Sequence, residues 1–344
     1  MDETPFYHAL AIAAQGNYHV MKRYRTIAPS WNEVYSNLAK EGVPLPDPER
    51  EFERLDGLGI QLVMASHREY PDRLRHIPHP PFGIYIRGAI AALAPNPLTL
   101  AIVGTRRASA DGKRATHHFA RELAAAGFTI ASGLAFGIDA AAHEGCLDAD
   151  GITIAALAGG LDNVYPYAHK TLAQKILAQG GALISEYPPG EAPFGYRFVE
   201  RNRIISGISR GVLIVEAPEA SGAIATARYA VEQNRDVFVM PGAVTATNFK
   251  GSHALIRQGA ELVTSPNEIL EAYDVIKKER TETHARGASP EEILILKALE
   301  EIGTHADVDK LATMTKLEPR IVNRTLSFLI LRGIVKESDG GYTI

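Results

Sequence analysis

From Leu98 to Lys278 short apolar runs alternate with helical segments, and this alternation limits the possible fold more than any other feature of the chain. The runs are Leu98–Val103, Phe128–Ala131, Ile152–Ala158, Ala182–Ser185, Val212–Val215, Val237–Met240 and Glu261–Val263. A strand that is apolar on both sides has to be covered on both sides. Runs of this kind between helices therefore predict an α/β fold with a Rossmann-like parallel sheet and helices on each face. Such sheets bind ligands beyond the carboxyl ends of their strands, near the point where strand order reverses. The residues that follow each run are the first place to look for function.

The first run leads into Gly104-Thr105-Arg106-Arg107, the second into Ser132-Gly133-Leu134-Ala135-Phe136-Gly137, and the third into Gly159-Gly160. Glu186 follows the fourth run, Glu216 and Ser221-Gly222 the fifth, and Pro241-Gly242 the sixth. Glycines permit backbone angles that turn successive N–H groups into one concavity, and a helix starting near Gly137 adds unpaired N–H groups and a positive dipole end. The loop Ser132–Gly137 reads as a phosphate cradle or as a tight strand-to-helix turn. Ser221-Gly222, opening a helix over Ala223–Asn234, repeats the arrangement, with Ser221 alternatively an N-cap.

Arg106 and Arg107, with Lys113 and Arg114 close by, supply guanidinium and ammonium groups suited to phosphate oxygens. Arg106 follows the first strand directly and is assigned to phosphate. Arg197, Arg201, Arg203 and Arg210 fall between the fourth and fifth runs. Arg203 is expected to pair with Glu186 or Glu216, and both carboxylates to serve as partners of this arginine run. Asp139, in the first turn of its helix, is expected to hold the glycine loop. His143 lies one turn later, within reach of Asp139. Neither a catalytic nucleophile nor a set of metal ligands stands out.

The chain has 36 Lys and Arg against 40 Asp and Glu, a net charge of −4, so a DNA site has to be a local concentration of basic residues. Cys146 is the only cysteine, which excludes an intramolecular disulfide and fits a cytoplasmic protein. No apolar stretch reaches the ~20 residues that span a bilayer, and no membrane association is expected. Residues 1–88 have a mainly helical pattern interrupted by Pro44, Pro46 and Pro48, and residues 89–278 hold the predicted sheet. Residues 279–289 are polar and read as a linker. In 290–344, Ile293, Leu294, Leu296 and Leu299 fit one helix, and Val308, Leu311 and Met314 a second. Ile321, Val322, Leu326, Leu329 and Ile330 stripe a third, and glycines then mark a hairpin, the order of a winged helix.

Taken in order, these motifs resemble one family. Val103-Gly104-Thr105-Arg106, Ser132 through Asp139 with Ala142-His143, and Tyr165-Pro166 are similar to the DNA-processing protein A family. Ser185-Glu186, Arg201-Asn202-Arg203, Glu216, Ser221-Gly222, Thr226-Ala227 and Pro241-Gly242 continue the likeness, which runs from about Tyr70 to Ala260. The resemblance implies a Rossmann-like domain with a sterile-alpha-motif-like domain before it and a winged-helix-like domain after it. It implies binding of incoming single-stranded DNA, protection of that DNA, and loading of the RecA recombinase in natural transformation. It further implies a homodimer through the Rossmann-like domain, with no cofactor and no catalysis.

Carried over by motif, Arg106 and the Ser132–Gly137 loop are the main DNA contacts, and Lys170, after Tyr165-Pro166, is a further one. The chain departs from the family at Gln15-Gly16-Asn17-Tyr18, where a Gly-hydrophobic-Gly hairpin is frequent, and at Ala168-His169, where many members have Glu-Asn. The rival reading is a nucleotide-binding or nucleotide-hydrolysing enzyme using Asp139, Glu186 and Glu216. Against it, Pro241-Gly242 is not followed by the glycines of a phosphoribohydrolase loop, and neither Gly-x-Gly-x-x-Gly after the first run nor a P-loop is present.

Overall fold

Among the described residues, nine strands make one sheet in the order β1-β2-β6-β5-β4-β3-β7-β8-β9. They are β1 (Ile60–Met64), β2 (Gly83–Gly88), β3 (Thr99–Val103), β4 (Thr129–Ser132), β5 (Thr153–Ala156), β6 (Ala182–Ser185), β7 (Gly211–Ile214), β8 (Asp236–Val239) and β9 (Glu261–Leu262). The strands from β3 to β9 run parallel, and the antiparallel pair β1–β2 extends the sheet beyond β6. The computed structural model describes residues 2–93, 98–275, 289–302, 305–331, 334–338 and 341–343. The linker expected over 279–289 lies outside the described residues, apart from Ser289.

The helices of the first unit (Met1–Ile276) are α1 (Thr4–Ala13), α2 (Tyr18–Tyr24), α3 (Trp31–Lys40), α4 (Pro48–Gly57), α5 (Asp72–Arg75), α6 (Ala110–Ala125), α7 (Ile138–Leu147), α8 (Lys170–Ala178), α9 (Gly195–Ile208), α10 (Gly222–Glu232), α11 (Lys250–Arg257) and α12 (Pro266–Ala272). Every residue of β3 to β7 is buried, as a strand covered on both faces requires. On one face Leu100, Ile102 and Ile130 pack with Phe119, Leu123, Ile138 and Ala142 of α6 and α7. On the other, Ala101, Val103 and Ile214 pack with Ile204, Ile205, Ala223 and Ala227 of α9 and α10. Tyr7, Leu10, Trp31 and Val34 of the N-terminal helices form a further core with Leu62, Tyr85 and Leu183 at the antiparallel end of the sheet.

From β3 the chain steps outward through β4 and β5 to β6, then returns to the other side of β3 at β7 and steps outward again through β8 to β9. Strand order therefore reverses between β3 and β7. The loops Gly104–Arg107 and Val215–Gly222 leave the sheet at that point.

The second unit, Lys277–Ile344, contains α13 (Pro290–Ile302), α14 (Val308–Thr315), α15 (Pro319–Leu331) and the antiparallel hairpin of β10 (Lys336–Ser338) and β11 (Gly341–Thr343). Its core is built from Ile295, Leu296, Leu299, Leu311, Val322, Leu326 and Leu329. Leu294 and Met314, expected on the inward stripes, are exposed instead. The stripe of α13 is set by Ile295, Ala298 and Leu299, one residue on from the expected phase, which turns Leu294 outward.

Candidate functional site

A crevice of about 420 Å³ opens at the reversal between β3 and β7. Gly104, Thr105, Arg106 and Arg107 line it, with Ala135 from the second loop, Asp139 of α7, Phe198, Arg201 and Asn202 of α9, Pro218 and Ser221 before α10, and Gly222 at its start. The first two loops meet by direct backbone contact. Gly137 has φ +81°, and a Cβ there would lie 2.4 Å from the Thr105 carbonyl oxygen and 2.8 Å from that of Arg106. Gly104 is equally confined, since its Cβ would lie 2.5 Å from Ile138. Thr105 N–H donates to the Glu216 carbonyl at 2.7 Å, which ties the loop after β3 to the one after β7.

Arg106 and Arg107 are exposed, and the Arg106 guanidinium lies 4.6 Å from the centre of the Phe198 ring. A cation over an aromatic face is held electrostatically while its donors stay free for a ligand. Across the lining, α10 begins at Ser221 without a side-chain cap, and Ser221 Oγ is buried with no hydrogen-bond partner among the described residues. Asn202 Nδ2 donates to the Gly222 carbonyl at 3.2 Å and fixes α9 against this end.

The loop Ser132–Gly137, expected to cradle a phosphate with its amides, has two of those amides already bonded. Asp139 Oδ2 accepts from Gly133 N–H at 3.1 Å and Ala135 N–H at 3.3 Å. Ile138 N–H donates to the Thr105 carbonyl and Ala140 N–H to the Ala135 carbonyl. A carboxylate thus stands where an external anion would, on the positive end of α7. Ser132 and Leu134 are wholly buried, and Ser132 Oγ donates to the Ile102 carbonyl at 2.6 Å. The starts of α9, at Gly195, and of α10 face the crevice without side-chain caps.

Arg201, 3% exposed, clamps the same region: its Nη1 donates to the Gly133 carbonyl at 3.0 Å and also to the Ala156 carbonyl. Burial raises the Asp139 carboxyl above its ordinary range, opposed by the Arg201 charge and the two amide N–H groups. Burial pushes Arg201 down to about 10, which leaves it charged at neutral pH.

The other singled-out residues have structural partners. Arg203 Nη2 donates to both oxygens of Glu186, at 2.7 and 2.6 Å, away from the crevice. Glu216, expected to pair with the arginine run, accepts instead from Ser109 N–H at 3.0 Å, from the Ser109 hydroxyl and from Asn248 Nδ2 at 2.9 Å. The start of α6 packs over its carboxylate and leaves no room for a guanidinium: a Cβ on Gly112 would lie 2.3 Å from Glu216 Oε1. His143 does not reach Asp139 but bonds Thr153 Oγ1 at 2.7 Å through Nδ1, because that side of α7 faces β5. Phe136 and Gly137 line a second groove of about 460 Å³, with Lys113, Arg114, His117, Glu144 and His169. Lys170 is exposed, its Nζ 5.7 Å from the Tyr167 ring centre, and lines neither space.

The family model described as DNA recombination-mediator protein A matches residues 61–274. The chain belongs to this family. Protein Smf of Escherichia coli is 46% identical over 210 residues, 61% of this chain and 56% of that protein, so the match spans little more than half of its length. The crystal structure of DNA processing protein A from Streptococcus pneumoniae aligns with a TM-score of 0.61 at 34% identity, over 70% of this chain and 80% of that one. The Helicobacter pylori protein, whose structure was described for its single-stranded DNA binding mode, aligns with a TM-score of 0.56 at 31% identity, covering 62% and 95%.

Among the crevice residues Phe198 was not singled out from the sequence, whereas Arg201 and Asn202 were, without the roles they take here. Phe198 underlies Arg106, Arg201 ties the loop after β4 to the end of β5, and Asn202 braces the start of α10. The available signal was the pattern of α9 itself, where arginines and isoleucines are mixed around the helix instead of separating into a polar and an apolar face. A helix apolar or charged all round within a sheet protein has buried charges, and those need partners in loops.

Proposed function

We propose that the protein binds single-stranded DNA in the crevice between β3 and β7, shields it and delivers it to a RecA-type recombinase, without chemical turnover. The observation that carries this reading is the exposed Arg106 guanidinium held on Phe198, in a crevice that also contains the start of α10, which has no side-chain cap, and the Ser221 hydroxyl, which has no partner among the described residues. Arginine, a helix start and a hydroxyl are all phosphate donors. Binding without hydrolysis is favoured because the carboxylates near the site are committed: Asp139 to loop amides, Glu216 to Ser109 and Asn248, and Glu186 to Arg203. The single-stranded DNA binding described for the Helicobacter pylori relative supports the same ligand. A homodimer through the Rossmann-like domain, a sterile-alpha-motif-like N-terminal segment and a winged-helix C-terminal unit belong to this proposal, as does Lys170 as an outlying contact.

Phosphate contacts fix position without reading bases, so affinity should depend little on sequence. The test is fluorescence anisotropy with labelled oligothymidylate, a duplex of equal length and free nucleotide as competitors. The oligomer should win, and log affinity should fall with log salt at a slope of about −0.7 for each phosphate neutralised. Equal duplex binding or a flat salt response contradicts the crevice as the single-strand site. Full displacement by free nucleotide would favour the nucleotide-binding reading.

A further inference from the structure

Among the described residues of the first unit, five phenylalanines and tyrosines are strongly exposed: Phe136, Tyr165, Tyr167, Phe194 and Tyr196, each between 48% and 74%. Their positions are not scattered. Phe136 follows β4, Tyr165 and Tyr167 follow β5, and Phe194 and Tyr196 follow β6, so all five occupy one side of the rim at the carboxyl ends of the parallel strands. Exposed rings concentrated in one place mark a surface that something covers. The shelf is continuous with the crevice, because the Tyr165 ring centre is 5.7 Å from that of Phe198, the ring beneath Arg106.

What covers it follows from the company the rings keep. Lys170 Nζ lies 5.7 Å from the Tyr167 ring centre, and the His169 ring centre 4.7 Å from that of Phe136. The Arg197 guanidinium, itself buried and paired with Glu191 at 3.0 Å, lies 5.0 Å from Phe194 and 5.9 Å from Tyr196, whose rings are parallel to within 2°. Exposed rings set beside the exposed cations Arg106 and Lys170 match a ligand that itself alternates flat apolar faces with anions, which is a single strand of nucleic acid.

We propose that this aromatic shelf at the ends of β4, β5 and β6 stacks the bases of the strand whose phosphates enter the Arg106 crevice. The proposal rests on the single-strand reading above and adds a base-binding surface to it. Stacking is sequence-tolerant, since every base has a π-face, and it requires bases rather than phosphates alone.

The test compares oligothymidylate with an abasic oligomer of equal length on the whole protein. Wild type should bind the base-bearing strand more tightly. Tyr165→Ala and Phe136→Ala should each weaken oligothymidylate by at least about fivefold, the lower end for one stacked base, and leave the abasic strand unaffected. Tyr165→Phe, which keeps the ring, should bind as wild type does. A Tyr165→Trp variant should show fluorescence quenching by oligothymidylate but not by the abasic strand. If Arg106-dependent binding persists while the ring variants treat both oligomers alike, the shelf is overturned and the crevice stands. If oligothymidylate binding is absent or independent of Arg106, the crevice reading fails and takes the shelf with it. Unchanged DNA binding with lost self-association or lost recombinase capture would make the shelf a protein interface and overturn the proposal.

Discussion

Arg106 and His143 illustrate two opposite uses of a polar side chain in this molecule. Arg106 is exposed, resting on Phe198, and has no ion pair among the described residues. Arg106→Ala should therefore leave folding intact and weaken oligothymidylate binding by about 1.5–3 kcal/mol, the scale of a charged hydrogen bond. Unchanged affinity in titrations of the folded variant would remove Arg106 from the site. His143 is wholly buried, and burial, followed by the neighbouring His169 and Arg201 charges, pushes it down to about 3 from an ordinary 6.5. The unfolded chain takes up this proton near pH 6.5 while the folded chain refuses it until about pH 3. Folding stability from this residue is thus full above pH 6.5 and falls as the pH drops below it, by about 1.4 kcal/mol per pH unit. Asp139 and Glu186, both raised by burial, act in the opposite direction, so the informative comparison is between proteins. His143→Gln, which can still donate to Thr153, should show a shallower loss of urea stability between pH 7 and pH 5 than wild type. Parallel pH curves for the two proteins would show that His143 is not held neutral.

Strand runs and loop contents were legible because a doubly covered strand leaves a plain apolar signature, and the observed β3 to β9 fall on the seven expected runs. Which amides a loop keeps free was not legible. Gly133 and Ala135 look like phosphate donors until Asp139, six and four residues on, is seen to take both. The same spacing is compatible with either outcome, and only the rotation of α7 decides it. Glycine positions, by contrast, carried more meaning than expected. Gly137 is required by the loop after β3 as well as by its own φ of +81°. Gly137→Ala should cost roughly 1–3 kcal/mol for the backbone angle alone. It should cost more where the new Cβ forces the Thr105 and Arg106 carbonyls away. Because Arg106 rides on that loop, DNA affinity should fall together with the urea midpoint. A variant that loses stability but keeps full affinity would uncouple the two loops.

Length, composition and net charge say little about function in a near-neutral chain whose crevice is lined by only three cationic side chains, Arg106, Arg107 and Arg201. The first unit holds the crevice and the cores that position it, and the second has a core of its own. Residues 290–344 carry seven Lys and Arg against nine Asp and Glu, a net of −2. A protein that grips DNA through a helix usually has a positive excess there, since phosphate neutralisation supplies most of its affinity. On α15, Arg320, Asn323, Arg324 and Ser327 are exposed and have the chemistry of groove contact, but Glu318, just before its first turn, sets a carboxylate where bases and phosphates would approach. Phe328, 53% exposed on the same helix, suits a protein partner better than a duplex. A chain ending at residue 286 should therefore retain its affinity for oligothymidylate within a factor of about three, a difference of less than ~1 kcal/mol. Its salt slope should also be unchanged, because no phosphate contact has been removed. A folded truncated chain that binds at least about tenfold more weakly would place the acidic unit within the DNA site. An unaltered affinity with a lower salt slope would show instead that the unit contributes cations while opposing binding in some other way.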